Sequence, residues 1–214
     1  MAIIAVLGRK GGIGKSTIVG NLAAEFAAMG RTVAVLDADP QHSLMAWASQ
    51  GHGVLSRCVE KVKGSGDTLR AKARKAEEAV EIVLIDTPPG LPDVGYQASL
   101  IADLVILPCG PSPLDLMPLK VVLTQVLKAR AERRSKRPRI RFVPSRLLMN
   151  SNLGRSLPAS LKEMGKKVLP SIGQRVVAAE CVSKGLTVFE FAPNSPSQAE
   201  FEALAKAVEK IIMR

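Results

Sequence analysis

Aromatic residues are scarce in this chain: five Phe, one Trp and one Tyr make up 3% of 214 residues. The core must therefore be aliphatic, and a surface that grips single-stranded nucleic acid by stacking bases on rings is not expected. Long apolar runs are missing too. No window holds 18 consecutive apolar residues, so no membrane span is expected. A secretory leader is not expected either, because a basic, glycine-rich stretch begins at Gly8, right after six apolar residues. The three cysteines, Cys58, Cys109 and Cys181, are odd in number and widely spaced. They fit a reducing cytoplasm and offer no zinc-binding spacing. Acids are few: 19 Asp+Glu face 30 Lys+Arg, giving a net charge of +11 and a pI near 9.9. That excess invites a polyanionic partner without saying anything about fold. What remains is 47% hydrophobic and 23% charged, with a mean hydropathy of +0.15. This is the composition of an ordered globular chain, and its length suits one domain over residues 1–214.

The apolar runs are short and continuous. Ala2–Leu7, Thr32–Leu36, Glu81–Ile85, Leu104–Leu107 and Ile140–Val143 read as strands covered on both faces, as in a parallel sheet. Helical patterns separate them, at Ser16–Met29, Leu44–Gln50, Thr68–Ala79, Val94–Ala102 and Leu116–Arg134. Strand and helix in alternation predict an α/β fold, a doubly wound, mostly parallel sheet flanked by helices. The stretch Gly51–Gly66 reads as an irregular or mobile connection.

Most of the information lies in Gly8-Arg9-Lys10-Gly11-Gly12-Ile13-Gly14-Lys15-Ser16-Thr17. A glycine-rich turn between a strand and a helix lets backbone N–H groups converge on phosphate oxygens, and the helix dipole adds positive potential there. Gly11, Gly12 and Gly14, with Ile13 between them, form the expected cradle. Lys15 would reach the β- and γ-phosphates, the Ser16 hydroxyl would sit on Mg²⁺, and Thr17 could lie near the α-phosphate. The strict G-x-x-x-x-G-K-[ST] pattern fails, because Arg9 stands where it needs glycine. What is present instead is K-G-G-x-G-K-S, with a second lysine at Lys10. A purely structural glycine turn would not place strand, turn, lysine, hydroxyl and helix in this order.

Two acidic positions support a phosphate site. Asp86 ends the apolar run Ile82–Ile85, at the carboxyl edge of a buried strand where α/β sheets bind ligands. It could hold magnesium directly or through water. Asp37 and Asp39 end the preceding strand, where they could orient an attacking water and support the metal shell. Taken singly, each acid is better read as an ordinary cap or turn residue; beside the loop at 10–17 the functional reading prevails.

On these residues the sequence resembles the ParA/MinD superfamily of deviant Walker A ATPases, most nearly its small ParA (ParF-like) partition proteins. The resemblance is carried by Lys10–Thr17, Asp37-Ala38-Asp39-Pro40-Gln41, Ile85-Asp86-Thr87-Pro88-Pro89 and Pro111-Ser112-Pro113-Leu114-Asp115, and more weakly by Gln174-Arg175 and Gly185–Glu190. It implies a P-loop ATPase with ATP and Mg²⁺ as cofactors, slow turnover stimulated by a partner, and a homodimer that forms on ATP. Within it Lys10 would reach across the dimer to the partner's phosphates, beside Lys15 as the second catalytic cation. A cation at the transferred phosphate stabilises charge in the transition state, so supplying it in trans ties chemistry to pairing. The resemblance assigns Asp39 to the hydrolytic water, Ser16 and Asp86 to the metal, Asp37 to a supporting place there, and Arg146 to the border of the base. It also implies nonspecific double-stranded DNA and a ParB-like adaptor as partners, on the cytoplasmic nucleoid. The cargo, plasmid, chromosome or protein cluster, stays open. Larger partition ATPases carry an N-terminal DNA-recognition extension; here the first strand starts at residue 2, so operator-specific repression is not expected.

Three surfaces have two readings each. Lys128–Arg141 contains eight basic residues and one acid, enough for several DNA phosphates, and is equally a solvated helix end. Lys162, Lys166, Lys167, Lys206, Lys210 and Arg214 could extend it, and Arg175 could contact DNA or serve a structural ion pair. The C-terminal helix Pro196–Met213 carries an apolar stripe that suits packing on the sheet, with a MinD-like membrane anchor as the alternative. Trp47 is expected near the edge of the site, and His42 and His52 read as ordinary. A metabolic ligase on the same scaffold is disfavoured, because it has no use for the doubled lysine.

Overall fold

The continuous apolar runs become parallel strands with one core on each face. In the computed structural model, which describes all of 1–214 except Leu91, Arg134, Met149 and Arg214, the strands are β1 (Ala2–Val6), β2 (Val33–Asp37), β3 (Val59–Lys61), β4 (Ile82–Asp86), β5 (Leu104–Cys109), β6 (Arg139–Leu147), β7 (Lys167–Val168) and β8 (Ile172–Gly173). Their order is β3-β2-β4-β1-β5-β6-β7, with β8 also paired to β6, and every pairing is parallel. Successive residues of a strand point to opposite faces. Ile4, Val6, Ile82, Leu84, Leu104 and Ile106 accordingly enter one core, and Ile3, Ala5, Val83, Ile85, Val105 and Leu107 the other.

The helices are α1 (Lys15–Ala28), α2 (Ser43–Ala48), α3 (Leu55–Cys58), α4 (Gly66–Glu77), α5 (Pro92–Ile101), α6 (Pro113–Glu132), α7 (Asn152–Glu163), α8 (Val177–Ser183), α9 (Val188–Phe191) and α10 (Pro196–Ile212). Residues of α1, α2, α3, α8, α9 and α10 build the first core, and those of α4, α5, α6 and α7 the second. The doubly wound, helix-flanked parallel sheet expected from the sequence is the observed fold. Residues 51–66 depart from the expected irregular connection: they form α3 and the edge strand β3, paired with Val35–Asp37. Strand β3 reads Val-Glu-Lys, so it shows no apolar run.

Helix α10 buries Phe201, Leu204, Ala205 and Val208 in the α1-side core, and Arg31 bonds Glu209 at 3.0 Å. Among the described residues no helix is long and apolar enough to cross a membrane. The basic run Lys128–Arg141 spans the end of α6, the link after it and the start of β6. Three of its arginines stitch that corner together: Arg133 donates to the Ala102 carbonyl, Arg137 pairs with Asp103, and Arg139 donates to the Ile211 carbonyl. Arg134 and Arg214, both counted in the expected basic surface, lie outside the described residues. Arg175 is taken by Glu200 at 2.6 Å, the structural reading of the two.

Candidate nucleotide site

The register sets the site. Asp37 and Asp86 are paired neighbours at the ends of β2 and β4, and Val6 of β1 flanks Asp86 on the other side. The loop from Gly8 to Gly14 leaves β1 at this carboxyl edge and enters α1 at Lys15. Parallel sheets bind ligands at such an edge. Gly14 has φ of +91°, a left-handed backbone that glycine adopts without penalty, and a Cβ there would stand 2.9 Å from the Ser145 hydroxyl.

The loop is clamped from β6. Ser145 Oγ donates to the Ile13 carbonyl at 2.9 Å, and the Arg146 guanidinium donates to the Gly12 carbonyl. Arg146 itself sits at φ +58°. These two bonds tie the carbonyls of Gly12 and Ile13 to β6. Arg146, expected at the base, is thus found on the phosphate loop itself.

Lys15 is only 6% exposed, with its ammonium 3.3 Å from the Lys10 carbonyl. Burial pulls its pKa down, while the charges of Asp86 and Asp39 act against that. Ser16 Oγ donates to Asp86 Oδ2 at 2.6 Å. The other Asp86 oxygen, Oδ1, is buried without any hydrogen-bond partner. Burial raises this carboxyl to about 7, although the Ser16 bond lowers it. An orphaned buried oxygen beside a serine hydroxyl is what a hard divalent cation completes. The described residues hold no cluster of three metal-ligating side chains. Mg²⁺ takes few protein ligands and fills its shell with water and phosphate oxygens.

Asp37 is fully buried, and burial raises its pKa. Both of its oxygens accept backbone N–H groups, from Asp39 at 3.2 Å and Met45 at 3.0 Å. It thereby shapes the turn that carries Asp39 and starts α2. Asp39 accepts from the Gln41 N–H at 2.9 Å and is 8% exposed.

Lys10 does not hang free. Its ammonium meets Asp115 Oδ1 at 2.5 Å. Asp115 sits in the first turn of α6, where it and Ser112 form a reciprocal capping box. Sequence reading missed this partner, as it did Ser145; His42, read as ordinary, has its Nδ1 4.0 Å from Asp37. The Pro111–Asp115 motif was the one signal that could have pointed to Asp115. Trp47 is buried in the α1-side core, its indole N–H donating to the Leu186 carbonyl at 2.9 Å. Thr17, Gly11 and Gly12 lie at the loop and the helix start as expected.

Residues 4–188 match the family model of the CobQ/CobB/MinD/ParA nucleotide binding domain. The maintenance of carboxysome distribution protein A of Halothiobacillus neapolitanus is 29% identical over 202 residues, which span 92% of this chain and 91% of that protein. The chromosome-partitioning ATPase Soj of Thermus thermophilus is 29% identical over an alignment 241 positions long, gaps included, that covers 96% of this chain and 94% of that one. In fold, the septum site-determining protein MinD of Pyrococcus horikoshii, solved with Mg-ADP, superposes with a TM-score of 0.77 at 22% identity, covering 99% of this chain and 97% of its own.

Proposed function

We propose that this chain, which belongs to the CobQ/CobB/MinD/ParA family and is a ParA/MinD-type ATPase using ATP and Mg²⁺, positions a cargo by pairing around ATP on nonspecific DNA. One observation carries the reading: a second lysine, Lys10, stands at the rim of the phosphate loop with its side chain 48% exposed. The buried Lys15 already supplies the cation that a single chain needs. An extra one at the rim is of most use to a second copy.

In this mechanism the N–H groups of residues 11–16 and Lys15 hold the β- and γ-phosphates, with Ser145 and Arg146 keeping the loop in shape. Asp39 orients the attacking water from the turn that Asp37 fixes. Lys10 of each copy stabilises charge on the other's transferred phosphate. Ser16 and Asp86 would hold Mg²⁺, which when bound neutralises charge between the phosphates. ATP works as a switch because its γ-phosphate gives the paired state contacts that ADP cannot supply. A ParB-like adaptor then triggers hydrolysis and release. Relatives named for carboxysome distribution and for chromosome partitioning support positioning as the output, with DNA or a protein assembly as the cargo. The net charge of +11 favours DNA as the matrix. The membrane-associated reading loses ground because the α10 stripe is buried against α1 and the sheet.

Light scattering with ATP and with ADP tests the pairing. Wild type should dimerise on ATP alone, and Lys10→Ala should keep ATP binding but stay monomeric; an unaffected dimer removes the trans role. Duplex of random sequence should bind only with ATP and weaken steeply with salt. Binding to anionic liposomes instead, lost on deleting residues 207–214, would favour the membrane reading.

A further inference from the structure

Two buried side-chain polar atoms of the described residues lack a hydrogen-bond partner, and both belong to residues at the carboxyl edge of the sheet. One is Asp86 Oδ1, which the proposed Mg²⁺ completes. The other is Nδ1 of His42. Burying a ring nitrogen without a partner costs stability. The backbone adds a second cost. His42 stands at the N-cap of α2 with φ +49° and ψ +44°, in the left-handed region. Glycine takes that conformation freely, whereas a side chain strains it. The imidazole is thus held where glycine would fit better, and such outliers gather where strain serves a mechanism.

Its neighbours define what the ring can do. Nδ1 lies 4.0 Å from Asp37 Oδ1, about 1 Å beyond hydrogen-bond reach. Asp37 Oδ1 accepts one bond, from the Asp39 N–H at 3.2 Å, and a carboxylate oxygen can accept a second. Both Asp37 oxygens already accept backbone N–H groups, so the ring must donate any new bond, with its proton on Nδ1. The backbone of His42 is fastened on both sides. Its N–H donates to the Asp39 carbonyl at 2.8 Å, and its carbonyl accepts from the Ala46 N–H at 2.9 Å. The ring is therefore tied to the same turn as Asp39. Pulling it onto Asp37 draws that turn against the end of β2.

We propose that His42 is a positioning residue for hydrolysis: with ATP bound, its Nδ1–H closes on Asp37 Oδ1 and locks the turn that carries Asp39. This rests on the proposed role of Asp39 in orienting the attacking water. Catalytic hydrogen bonds are commonly long in a free enzyme and tighten only around the substrate. His42 touches neither nucleotide nor water in this scheme, and it acts through Asp37 and Asp39 alone. The placement of Asp39 then decides the rate, since an error of about 1 Å can cost a hundredfold. The uncharged ring suffices, so no change of protonation is needed.

Two substitutions separate the bond from the fold. His42→Gly removes the ring and relieves the left-handed strain, so folding is not threatened, which a melting curve checks. His42→Asn also tolerates that conformation and offers an amide N–H close to where Nδ1 stands. With ATP and Mg²⁺, His42→Gly should lower kcat by roughly tenfold to a hundredfold while ATP affinity stays within about threefold. His42→Asn should recover most of the lost kcat. Nitrogen-15 NMR reads the ring itself, because the chain has two histidines and His52→Gln leaves one. With Mg²⁺ and a non-hydrolysable ATP analogue, the proton should sit on Nδ1 and exchange slowly. Wild-type turnover in His42→Gly, an Asn variant as slow as the Gly one, or a proton on Nε2 in the complex overturns the proposal. Asp39→Ala at the wild-type rate removes the reading beneath it, and the proposal with it. A slow Asp39→Ala beside a fast His42→Gly removes the proposal alone.

Discussion

Lys10 and Asp115 are 105 residues apart in sequence, and their side chains meet at 2.5 Å beside the phosphate loop. The acid is the fixed member of the pair. It is 9% exposed, held in the capping box of α6, and Gly110 leaves room for it where any Cβ would collide with the carboxylate. The lysine is the mobile member, half-exposed on a flexible stem. A single chain thus keeps its second lysine for itself, and the proposed pairing around ATP would have to take it away. The ion pair would then be a cost of that dimer, small because one partner is solvated but not zero.

Asp115→Asn tests this. The amide keeps an acceptor oxygen and the shape of the cap but gives up the charge that retains Lys10. ATP-dependent dimers should then form at protein concentrations lower by roughly three- to tenfold, the size of an ion pair of about a kcal/mol. Sedimentation over a concentration series with ATP reads the shift. An unchanged midpoint, in a variant that melts like wild type, would mean that Asp115 does not restrain Lys10.

Lys15 sits in a tighter place, buried against the Lys10 carbonyl and between the charges of Asp39 and Asp86. Replacing it removes the only buried cation of the loop and leaves those acids uncompensated. Lys15→Ala should lower nucleotide affinity by about a hundredfold or more. Titration calorimetry with ATP and Mg²⁺ checks it, and affinity within about threefold of wild type would remove Lys15 from the site.

Asp39 holds its place through the Gln41 N–H and through the turn that Asp37 anchors. In the proposed role of orienting water, it would matter to hydrolysis and not to holding ATP. Asp39→Ala should cut turnover by about a hundredfold, within the usual range for a positioned acid–base group. The ATP-bound dimer should persist, seen by light scattering after ATP is added and its phosphate release followed. Turnover at the wild-type rate would end the assignment.

The parts of this molecule that were legible in sequence are those with local signals. Ile82–Ile85 announces a strand buried on both faces, and Lys10–Ser16 a phosphate loop, because each pattern is complete within a few residues. Strand β3 escaped because an edge strand carries Glu60 and Lys61 in place of an apolar run. The clamps on the loop escaped for another reason. Ser145 and Arg146 act on Ile13 and Gly12 across 132 and 134 residues, so only the fold brings them together. Helix α7, with Gly154 and Pro158 inside it, lacks the composition that would announce a helix. The basic run kept two readings in sequence, since arginines that donate to backbone carbonyls look there like arginines free for DNA.

Two buried carboxyls make the nucleotide-free chain sensitive to pH in a direction opposite to the usual one. Burial raises Asp86 to about 7, against the Ser16 bond that lowers it, and it raises Glu25 on α1 to about 7 against a bond from Gln198. Near Glu25, Glu202 raises it further and Lys206 lowers it. In the unfolded chain both groups ionise near their ordinary values of 3.8 and 4.5. Between about pH 4 and about pH 7 the folded chain therefore binds more protons than the unfolded one, and each added unit of pH costs stability. The melting temperature without nucleotide should fall by several degrees over this window. Asp86→Asn, which keeps an acceptor for Ser16, should flatten part of that slope, and adding Glu25→Gln a further part, while Asp37, also raised by burial, keeps a share. The two sites share no partner, so their effects should add. Mg²⁺ with nucleotide should raise the melting temperature of wild type more at pH 7.5 than at pH 5.5, since it favours the ionised Asp86. A melting temperature that rises with pH, or a slope untouched by both substitutions, would show that neither carboxyl is held protonated in the fold.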